Sequence, residues 1–309
     1  MASTIYVSGR FCSDEEATVN VLDHGLLYGD GIFEGIRAYN GRVFKLDRHV
    51  DRLFDSAKAL RLDIPFARHE IIEIVLETCR RNAITDGYIR LVVTRGIGGL
   101  GIDPSSCLRP EVIVIARPVL SFYREPSQGI RLVTSSLRRP SPDTLSPSIK
   151  SLNYVNNVLA RMEANEHGAD EALLLDVNGY VAEATADNIF LVTRQGRLAT
   201  PRTATNLDGI TRETVLEIAR DLGLPYEERP FSLFEVWTAR EVFVCGTGAE
   251  VVPVLSVDGR LIGSGDIGPT TRTIVEAYGR VVRSTGTPIE AEAAPLSVGD
   301  GLQPVARPA

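Results

Sequence analysis

The stretch at residues 145–156, LSPSIKSLNYVN, contains the side chain of this sequence that is best suited to covalent chemistry. Lysine occurs only at positions 45, 58 and 150, and every other basic residue is arginine. Lys150 has small or apolar neighbours. An amine can lose its proton and form a Schiff base, whereas a guanidinium stays charged and is a poor nucleophile. Lys150 is therefore a candidate nucleophile, and an ordinary surface lysine is the alternative.

Three glycine-containing motifs have spacings that suit an anion or a closely approaching ligand. In DHGLLYGDGIFEGIR, residues 23–37, glycines interrupt a strand-like run. NLDGITRETVLEIARDLG, residues 206–223, opens an amphipathic helix whose first amides attract anions, with Thr211 as an extra donor. CGTGAE, residues 245–250, ends a strand with successive amides that suit phosphate or carboxylate. The purely structural interpretations are a bulged hairpin, ordinary N-capping and a plain turn.

Two charged residues allow more than one interpretation. Glu183 alternates with the apolar Val181 along a predicted strand. It is therefore either exposed to solvent or paired with a cation in a cleft. Arg52 lies away from the apolar stripe of its predicted helix, so a solvated surface position is its simplest interpretation.

Composition restricts the class of protein. The 309 residues are 44% hydrophobic and 24% charged, which is typical of one large or two ordinary globular domains. The net charge of −7 and the lack of a basic run disfavour nucleic acid as a partner. We expect no membrane partner, because no apolar stretch approaches the length of a bilayer crossing and the start lacks a signal sequence. The scattered cysteines and histidines predict no metal site and reduced thiols in a cytoplasmic protein.

Hydrophobic periodicity predicts the elements that position these residues. We expect helices at residues 47–61, near 67–81, near 154–167, at 211–222 and near 270–282. The residues expected to face inward on the third helix are Val155, Val158, Leu159 and Met162. Branched residues predict strands in GYIRLVVTRG, EVIVIARPV, IRLVTSS and EVFVCG. Hairpin turns are expected at Asn178–Gly179 and Gln195–Gly196.

The stretch VLSFYREPSQG carries Pro, Gln and Gly between strands, which favours an interdomain connection. We therefore expect a small domain at residues 1–118, a loop at 119–129 and a large domain at 130–309. The tail from about residue 286 is rich in Pro and Ala and is expected to be loosely ordered.

Taken together, these motifs resemble the fold-type-IV pyridoxal-phosphate enzymes of aminotransferase class IV, and specifically the branched-chain amino-acid aminotransferases. The resemblance covers nearly the whole chain and rests on the order YGDGIFEGIR, HVDRL, YIR, IKSLNY, DVNGYVAEATADNIF, GITR and CGTGAE. It implies an α+β fold with a small N-terminal α/β domain and a larger domain of antiparallel strands in a pseudo-barrel. It also implies a homodimer or a higher homo-oligomer.

The resemblance implies pyridoxal 5'-phosphate as the cofactor. Lys150 would form the Schiff base and carry a proton, and Glu183 would keep the pyridine nitrogen protonated. The resemblance implies Tyr154 as the partner of the ring oxygen and Leu207 as the residue that packs on the ring. The residues implied in the phosphate-binding segments are Arg52, Gly209, Ile210, Thr211, Gly246 and Thr247.

The implied reaction is a ping-pong transamination between branched-chain L-amino acids (Leu, Ile or Val) and 2-oxoglutarate. The residues implied to bind the substrate α-carboxylate are Tyr88 and the amides of Thr247, Gly248 and Ala249. Those implied to line an apolar pocket are Tyr28, Phe33, Gly35 and Tyr154. Arg90 would reach the distal carboxylate of glutamate, with Arg37 nearby.

Competing functions stay open at the level of sequence. The triplet TRG at residues 94–96 also occurs in D-amino-acid transaminases of this fold, where the arginine helps to bind a carboxylate. Arg95 is therefore a further candidate substrate residue. Two more candidate functions are an aminodeoxychorismate lyase and a non-catalytic protein that binds a phosphate ligand. The donor range, including D-amino acids and amines, and a biosynthetic or degradative role are not fixed by these motifs.

Overall fold

A computed structural model describes residues 3–118, 123 and 125–290. These residues form two compact units. The first unit contains the described residues of Met1–Leu120, Ile149–Asn153 and Val282–Ala309, and the second contains those of Ser121–Ser148 and Tyr154–Val281. The expected division at 118 and 129 stays a prediction, but the compact units are less contiguous than it assumed. Residues 119–122 and 124 of the expected loop, and the tail from 291, lie outside the described residues.

The bounds of the elements are as follows. The strands of the first half of the chain are β1 Thr4–Val7, β2 Arg10–Ser13, β3 Gly31–Tyr39, β4 Arg42–Val43, β5 Gly87–Thr94, β6 Glu111–Pro118 and β7 Ile130–Arg138. Those of the second half are β8 Glu171–Leu175, β9 Val181–Ala184, β10 Asn188–Val192, β11 Leu198–Thr200, β12 Tyr226–Glu228, β13 Glu241–Gly246, β14 Glu250–Val257, β15 Arg260–Leu261 and β16 Thr287–Pro288. The helices are α1 His24–Tyr28, α2 Leu46–Ala59, α3 Arg68–Arg81, α4 Pro142–Leu145, α5 Val155–Glu166, α6 Ile210–Asp221, α7 Leu233–Trp237 and α8 Pro269–Ser284.

The first unit is built on a seven-stranded sheet in the order β16-β4-β3-β5-β6-β1-β2, and each of its strand pairs is antiparallel. Alternate residues of β5 point to opposite faces, as a pleated strand requires. Ile89, Leu91 and Val93 are fully buried in a core shared with α2 and α3. Tyr88 and Arg90 lie half-buried on the opposite face. This second face carries the candidate substrate residues Phe33, Gly35, Arg37, Tyr88 and Arg90.

The second unit contains a nine-stranded sheet in the order β12-β11-β10-β13-β14-β7-β8-β9, with β15 paired to β14. Most of its strand pairs are antiparallel, as the implied pseudo-barrel domain predicts, but three are not. The pairs β7–β8, β7–β14 and β11–β12 are parallel. The reason lies in the connections, because β7 returns to β8 through α5, and β11 returns to β12 through α6. Helical crossovers of this kind join parallel strands, whereas hairpins join antiparallel ones.

The second sheet curls on itself, as the implied pseudo-barrel requires. Strand β9 stands at one end of the strand order and β10 stands third from the other end. Only residues 185–187 join the two strands, and the Ala184 amide donates to the Asp187 carbonyl at 2.8 Å. The edge strand therefore bends back to its neighbour in sequence. The turn places Glu183 and Asn188 side by side.

The predicted helices and strands are found within a few residues of their expected ends, and both predicted hairpin turns are present. The prediction of which residues of α5 face inward is wrong. Its large apolar residues are exposed, at 69% for Val155, 55% for Val158, 45% for Leu159 and 51% for Met162. The buried face instead carries Asn157, Ala160 and Ala164. Small side chains let the helix approach β7 and β8 closely, so the larger residues face outward.

Part of the tail is ordered by the first sheet. Strand β16 pairs with β4, and the Ile289 amide donates to the Gly41 carbonyl at 2.9 Å. The expectation of a loose tail from residue 286 is therefore wrong for residues 286–290.

Among residues 3–118, 123 and 125–290, none of the helices combines the length and apolarity that a bilayer crossing requires.

Candidate active site

Lys150 is attached to the beginning of β3. Strand β4 pairs only with the far end of β3, which leaves the edge at Gly31–Phe33 open to residues 150–152. The Phe33 amide donates to the Lys150 carbonyl at 3.0 Å, and the Lys150 amide donates to Ser56 Oγ at 3.2 Å. Nζ of Lys150 lies 4.3 Å from the centroid of the Phe33 ring. Backbone and side chain of this lysine are thus both held by the first unit.

The face of the first sheet that points away from α2 and α3 brings four predicted substrate residues together: Phe33, Gly35, Tyr88 and Arg90. Gly35 stands directly opposite Arg90 in the register of β3 and β5. The Arg90 guanidinium lies 4.5 Å from the Phe33 ring centroid and donates to the Tyr88 hydroxyl at 3.0 Å. A Cβ at position 35 would overlap the Tyr88 hydroxyl, so glycine is needed there. The result is an aromatic surface with one guanidinium set against it.

Two further predicted substrate residues have separate surroundings in the same unit. Arg37 stands opposite Tyr88, is 8% exposed and stacks on Tyr39 with its guanidinium 4.8 Å from the ring centroid. Tyr28 is the last residue of α1, and its hydroxyl donates to the Leu100 carbonyl.

Arg95 is not available in the way the sequence suggested. Its Nε and Nη2 donate to the two carboxylate oxygens of Asp30 at 2.9 and 3.0 Å. It also donates to the carbonyls of Arg61 at 2.7 Å and Leu60 at 2.8 Å. These contacts use most of the N–H groups that a guanidinium has. The expectation that Arg95 binds a substrate carboxylate is therefore corrected: it ties two loops to the start of β3.

Arg52 lies on α2 and forms a two-point ion pair with Glu34 of β3. Its Nε and Nη2 donate to Oε1 and Oε2 of Glu34, each at 2.8 Å. His49 Nδ1 lies 2.8 Å from the same carboxylate. Burial would raise the pKa of Glu34, but the charge of Arg52 and the hydrogen bonds from Arg52 and His49 lower it to about 2. The solvated surface position considered for Arg52 is thus wrong.

In the second unit, Arg139, the Leu207 amide and Asn188 contact the buried carboxylate of Glu183. Nη2 of Arg139 lies 2.8 Å from Oε1. The Leu207 amide donates to Oε2 at 3.1 Å, and Nδ2 of Asn188 lies 3.3 Å from the same atom. Asn188 also donates to the Leu207 carbonyl at 3.0 Å. Glu183 is therefore paired with a cation, as one of its two interpretations required.

Gly209, Ile210 and Thr211 form the beginning of α6. Gly209 is the N-cap residue and offers no side-chain acceptor to the first-turn amides. A Cβ at this position would overlap Oδ1 of Asn188, the residue that also contacts Glu183. Ile210 and Thr211 are buried. The helix start therefore combines amide donors that lack a side-chain cap, a threonine hydroxyl and the positive end of the helix dipole, which suits a bound anion.

The turn at residues 247–249 follows β13 and contains Thr247, Gly248 and Ala249, all half-buried. Gly246 closes the strand, and a Cβ there would overlap Oδ1 of the buried Asp187. Burial and the nearby Glu171 carboxylate raise the pKa of Asp187 to about 7, although a hydrogen bond from Tyr123 acts in the opposite direction. The Tyr123 hydroxyl donates to Asp187 at 2.5 Å.

Tyr154 is the N-cap residue of α5 and is half-buried. Like Glu183, the start of α6 and the 247–249 turn, it belongs to the second unit.

Several residues of these networks were not identified from the sequence. They are Glu34, His49, Asp187, Asn188 and Arg139. All of these except Arg139 lie inside the motifs quoted above. For Glu34, Asp187 and Asn188, a charged or polar side chain within an apolar run was the available signal. Arg139 follows another arginine in a polar stretch and carried no comparable signal.

The chain is similar to proteins of known family along most of its length. The amino-transferase class IV family matches residues 31–257. The branched-chain-amino-acid aminotransferase of Pseudomonas aeruginosa is 41% identical over 281 residues, which are 89% of this chain and 91% of that protein.

Solved structures extend the same similarity to the fold. The Escherichia coli branched-chain amino acid aminotransferase is 35% identical with a TM-score of 0.89, and the match covers 94% of this chain and 97% of that one. The branched-chain aminotransferase of Thermoproteus uzoniensis, solved with norvaline, is 38% identical with a TM-score of 0.86, and the match covers 92% and 95%. The chain therefore belongs to the class IV aminotransferases and, within them, to the branched-chain amino-acid aminotransferases.

Proposed function

We propose that the protein transfers the amino group of branched-chain L-amino acids to 2-oxoglutarate with pyridoxal 5'-phosphate as its cofactor. The observation that carries the proposal is the setting of Lys150, whose amine lies against the Phe33 ring at the start of β3. Related enzymes support the cofactor and the substrate class. Crystal structures of a branched-chain amino acid aminotransferase 41–42% identical to this chain contain pyridoxamine 5'-phosphate in one case and 4-methylvaleric acid in another.

The proposal assigns each group that this cofactor needs to a residue of this chain. The aldehyde requires an amine, which Lys150 offers. The pyridine nitrogen requires an acceptor that favours its protonated form, and the buried Glu183 carboxylate provides one. The phosphate requires donors, which the proposal assigns to Arg52, the first amides of α6 and the hydroxyls of Thr211 and Thr247. The start of α6 fits this role, because Gly209 leaves its amides without a side-chain acceptor.

When bound, pyridoxal 5'-phosphate supplies an aldehyde that accepts amino groups and a ring that withdraws electrons from the substrate α-carbon. Lys150 would hold the cofactor through its amine. The same amine, once free, would act as the base that takes the proton from the substrate α-carbon and as the acid that later returns it. Glu183 would keep a proton on the ring nitrogen, and its own position is held by Arg139 and by the Leu207 amide.

We assign substrate selection to the half-buried face of the first sheet that carries Tyr88 and Arg90, and to the 247–249 turn. Phe33 and Gly35 are assigned to an apolar surface for a branched substrate side chain. Tyr154 and Tyr28 are assigned to the same role. Arg90 offers a guanidinium for the second carboxylate of glutamate, with Arg37 as an additional cation. Tyr88 and the amides of residues 247–249 are assigned to the α-carboxylate.

The deciding experiment has two parts. In the first, the purified full-length protein is treated with borohydride, digested and analysed by mass spectrometry, and the pyridoxyl group is expected on the peptide that contains Lys150. In the second, a panel of amino donors is assayed with 2-oxoglutarate, and L-leucine, L-isoleucine and L-valine are expected to be the best donors. Turnover of D-alanine without L-leucine would indicate a D-amino-acid transaminase. A protein that takes up no cofactor would point to a non-catalytic role.

Two further features belong to the same proposal. We infer a homodimer or a higher homo-oligomer, for which the exposed apolar residues of α5 are the supporting observation. We also place the protein in the cytoplasm. Its cysteines are free thiols, and Cys79 and Cys245 are buried, which suits a reducing compartment.

A further inference from the structure

Helix α2 carries a buried polar stripe within the apolar core of the first unit. His49, Arg52 and Ser56 are spaced three and four residues apart, so they lie on one side of the helix. His49 is 1% exposed and Ser56 is 3% exposed. Buried polar side chains are costly unless they are hydrogen-bonded, so their partners decide what this stripe does.

The partners of the stripe include Glu34 and the backbone of Lys150. Glu34 receives two hydrogen bonds from Arg52 and one contact from His49, all at 2.8 Å. Ser56 Oγ accepts the Lys150 amide at 3.2 Å. One face of α2 therefore holds the backbone of Lys150 through Ser56. The same face holds Glu34 through Arg52, the proposed phosphate ligand, and through His49.

The charge states in this cluster follow from its burial. Glu34 is completely buried and ionised, with its pKa lowered to about 2. Burial lowers the pKa of His49, and the cations Arg52 and Lys150 add to this effect against the opposing influence of Glu34. His49 is therefore neutral near pH 7. A carboxylate can only accept, so Nδ1 of His49 carries the hydrogen and donates it to Glu34.

The geometry of the ion pair restricts the Arg52 side chain. A carboxylate that receives Nε and Nη2 together fixes the plane and rotation of the guanidinium, which a single contact does not do. The His49 donor fixes the carboxylate in turn, because one of its two oxygens is shared between His49 and Arg52. The orientation of Glu34 therefore depends on His49, and the orientation of Arg52 depends on Glu34.

We propose that Glu34 is a positioning residue for the cofactor phosphate, acting through Arg52, and that His49 holds the Glu34 carboxylate in the required orientation. This inference rests on the proposed function, because it takes Arg52 as a phosphate ligand. It predicts that the pair discriminates between ligands that differ only in the phosphate. An ion pair with a structural role alone would influence both ligands to the same degree.

The test is a titration of the full-length apoprotein with pyridoxal 5'-phosphate and with pyridoxal, followed by the visible absorbance of the bound cofactor. For Glu34→Gln we expect the Kd for pyridoxal 5'-phosphate to rise by about tenfold and the Kd for pyridoxal to stay within about twofold. Asp30→Asn is the matched control, since Asp30 forms the same two-point pair with Nε and Nη2 of Arg95 in the same unit. It should leave the ratio of the two Kd values unchanged.

A double-mutant cycle tests the route through Arg52. In an Arg52→Gln background, Glu34→Gln should have almost no further effect on the Kd for pyridoxal 5'-phosphate. If Glu34→Gln does not fold, His49→Ala and His49→Asn take its place. Asparagine can donate from near the Nδ1 position, so it should preserve the phosphate preference that alanine reduces.

The outcomes separate this inference from the proposed function. Equal Kd changes for both ligands, or full additivity of the two substitutions, would overturn the role of Glu34 while the wild-type protein still binds its cofactor. Failure of the wild-type protein to bind pyridoxal 5'-phosphate would overturn both proposals.

Discussion

Nη2 of Arg139 lies 2.8 Å from Oε1 of Glu183, and both side chains are buried. Arg139 also donates to Oδ1 of Asn157 at 3.0 Å, which attaches it to the buried face of α5. The carboxylate assigned to the cofactor ring is therefore held by an arginine that comes directly after β7. Removal of this arginine would leave an uncompensated charge in the interior of the second unit.

We therefore expect Arg139→Met to lower the free energy of unfolding by about 3–5 kcal/mol, measured by urea denaturation. Arg131→Met is the control, because the Arg131–Asp170 pair lies on the surface and should contribute no more than about 1 kcal/mol. In a Glu183→Gln background the cost of Arg139→Met should fall, since the buried charge is then absent. An equal cost in both backgrounds would show that the two residues do not act together.

Lys150→Arg is expected to abolish transamination as completely as Lys150→Ala, because a guanidinium cannot attach to the cofactor aldehyde or move the α-proton. Lys58→Arg is the matched control. Lys58 is exposed on α2, and the same change there should leave the rate within about twofold of the wild type. The measurement is the steady-state rate with L-leucine and 2-oxoglutarate. Substantial activity of Lys150→Arg would remove the role assigned to this lysine.

Glu183→Gln is expected to leave the cofactor attached while kcat falls by about 10²–10³-fold. The amide is nearly the same size, but it carries no charge to favour the protonated ring nitrogen. Absorbance of the bound cofactor and single-turnover rates distinguish attachment from chemistry. Loss of cofactor with normal kcat in the remaining holoprotein would contradict the assignment.

Asp187→Asn is expected to change how stability depends on pH. The folded-state pKa of about 7 exceeds the ordinary value of 3.8, so the folded protein binds a proton between these values that the unfolded chain has released. This group therefore makes stability fall as pH rises from about 4 to 7, and the loss is complete above that range. Between pH 5 and pH 8.5, the wild type should lose at least about 1 kcal/mol relative to Asp187→Asn. Parallel stability curves for the two proteins would count against a protonated Asp187.

Arg95→Lys should weaken the fold and not the binding of a substrate carboxylate. Lysine keeps the charge but cannot make the two-point contact with Asp30 and the two carbonyl contacts at once. We expect a loss of about 1–3 kcal/mol in unfolding free energy and a KM for 2-oxoglutarate within about twofold of the wild type. A raised KM with unchanged stability would restore Arg95 as a substrate residue.

Local pattern in the sequence was sufficient to predict several elements. The apolar stripe of Val50, Leu53 and Ala57 predicted α2, and the branched residues of GYIRLVVTRG predicted β5. The same method failed for α5. There the short side chains of Ala160 and Ala164 form the packed face, and a period of apolar residues cannot show which side of a helix a neighbouring sheet covers.

The candidate site was also predictable only in part. Motif order identified Lys150 and Glu183 by resemblance, whereas their supporting residues were found only in the structure. Glu34 pairs with Arg52 across β3 and α2, and Arg139 reaches Glu183 from the end of another strand. Such pairs join residues that are distant in the chain, and a single sequence contains no signal for their register. Arg95 is an example of the opposite failure, in which a sequence motif suggests a binding residue. In the structure its guanidinium is paired with Asp30.

The path of the chain has a consequence for dissection and recombination of this protein. Residues 149–153 belong to the first unit, although the chain on both sides of them belongs to the second. No single cleavage point can release a stand-alone fragment that contains both Lys150 and its β3 support without also carrying part of the second unit. Chimeras with a related enzyme whose crossover lies between β6 and residue 149 would pair the lysine of one parent with the strand of the other. Productive exchanges should therefore transfer the five-residue segment together with the N-terminal part.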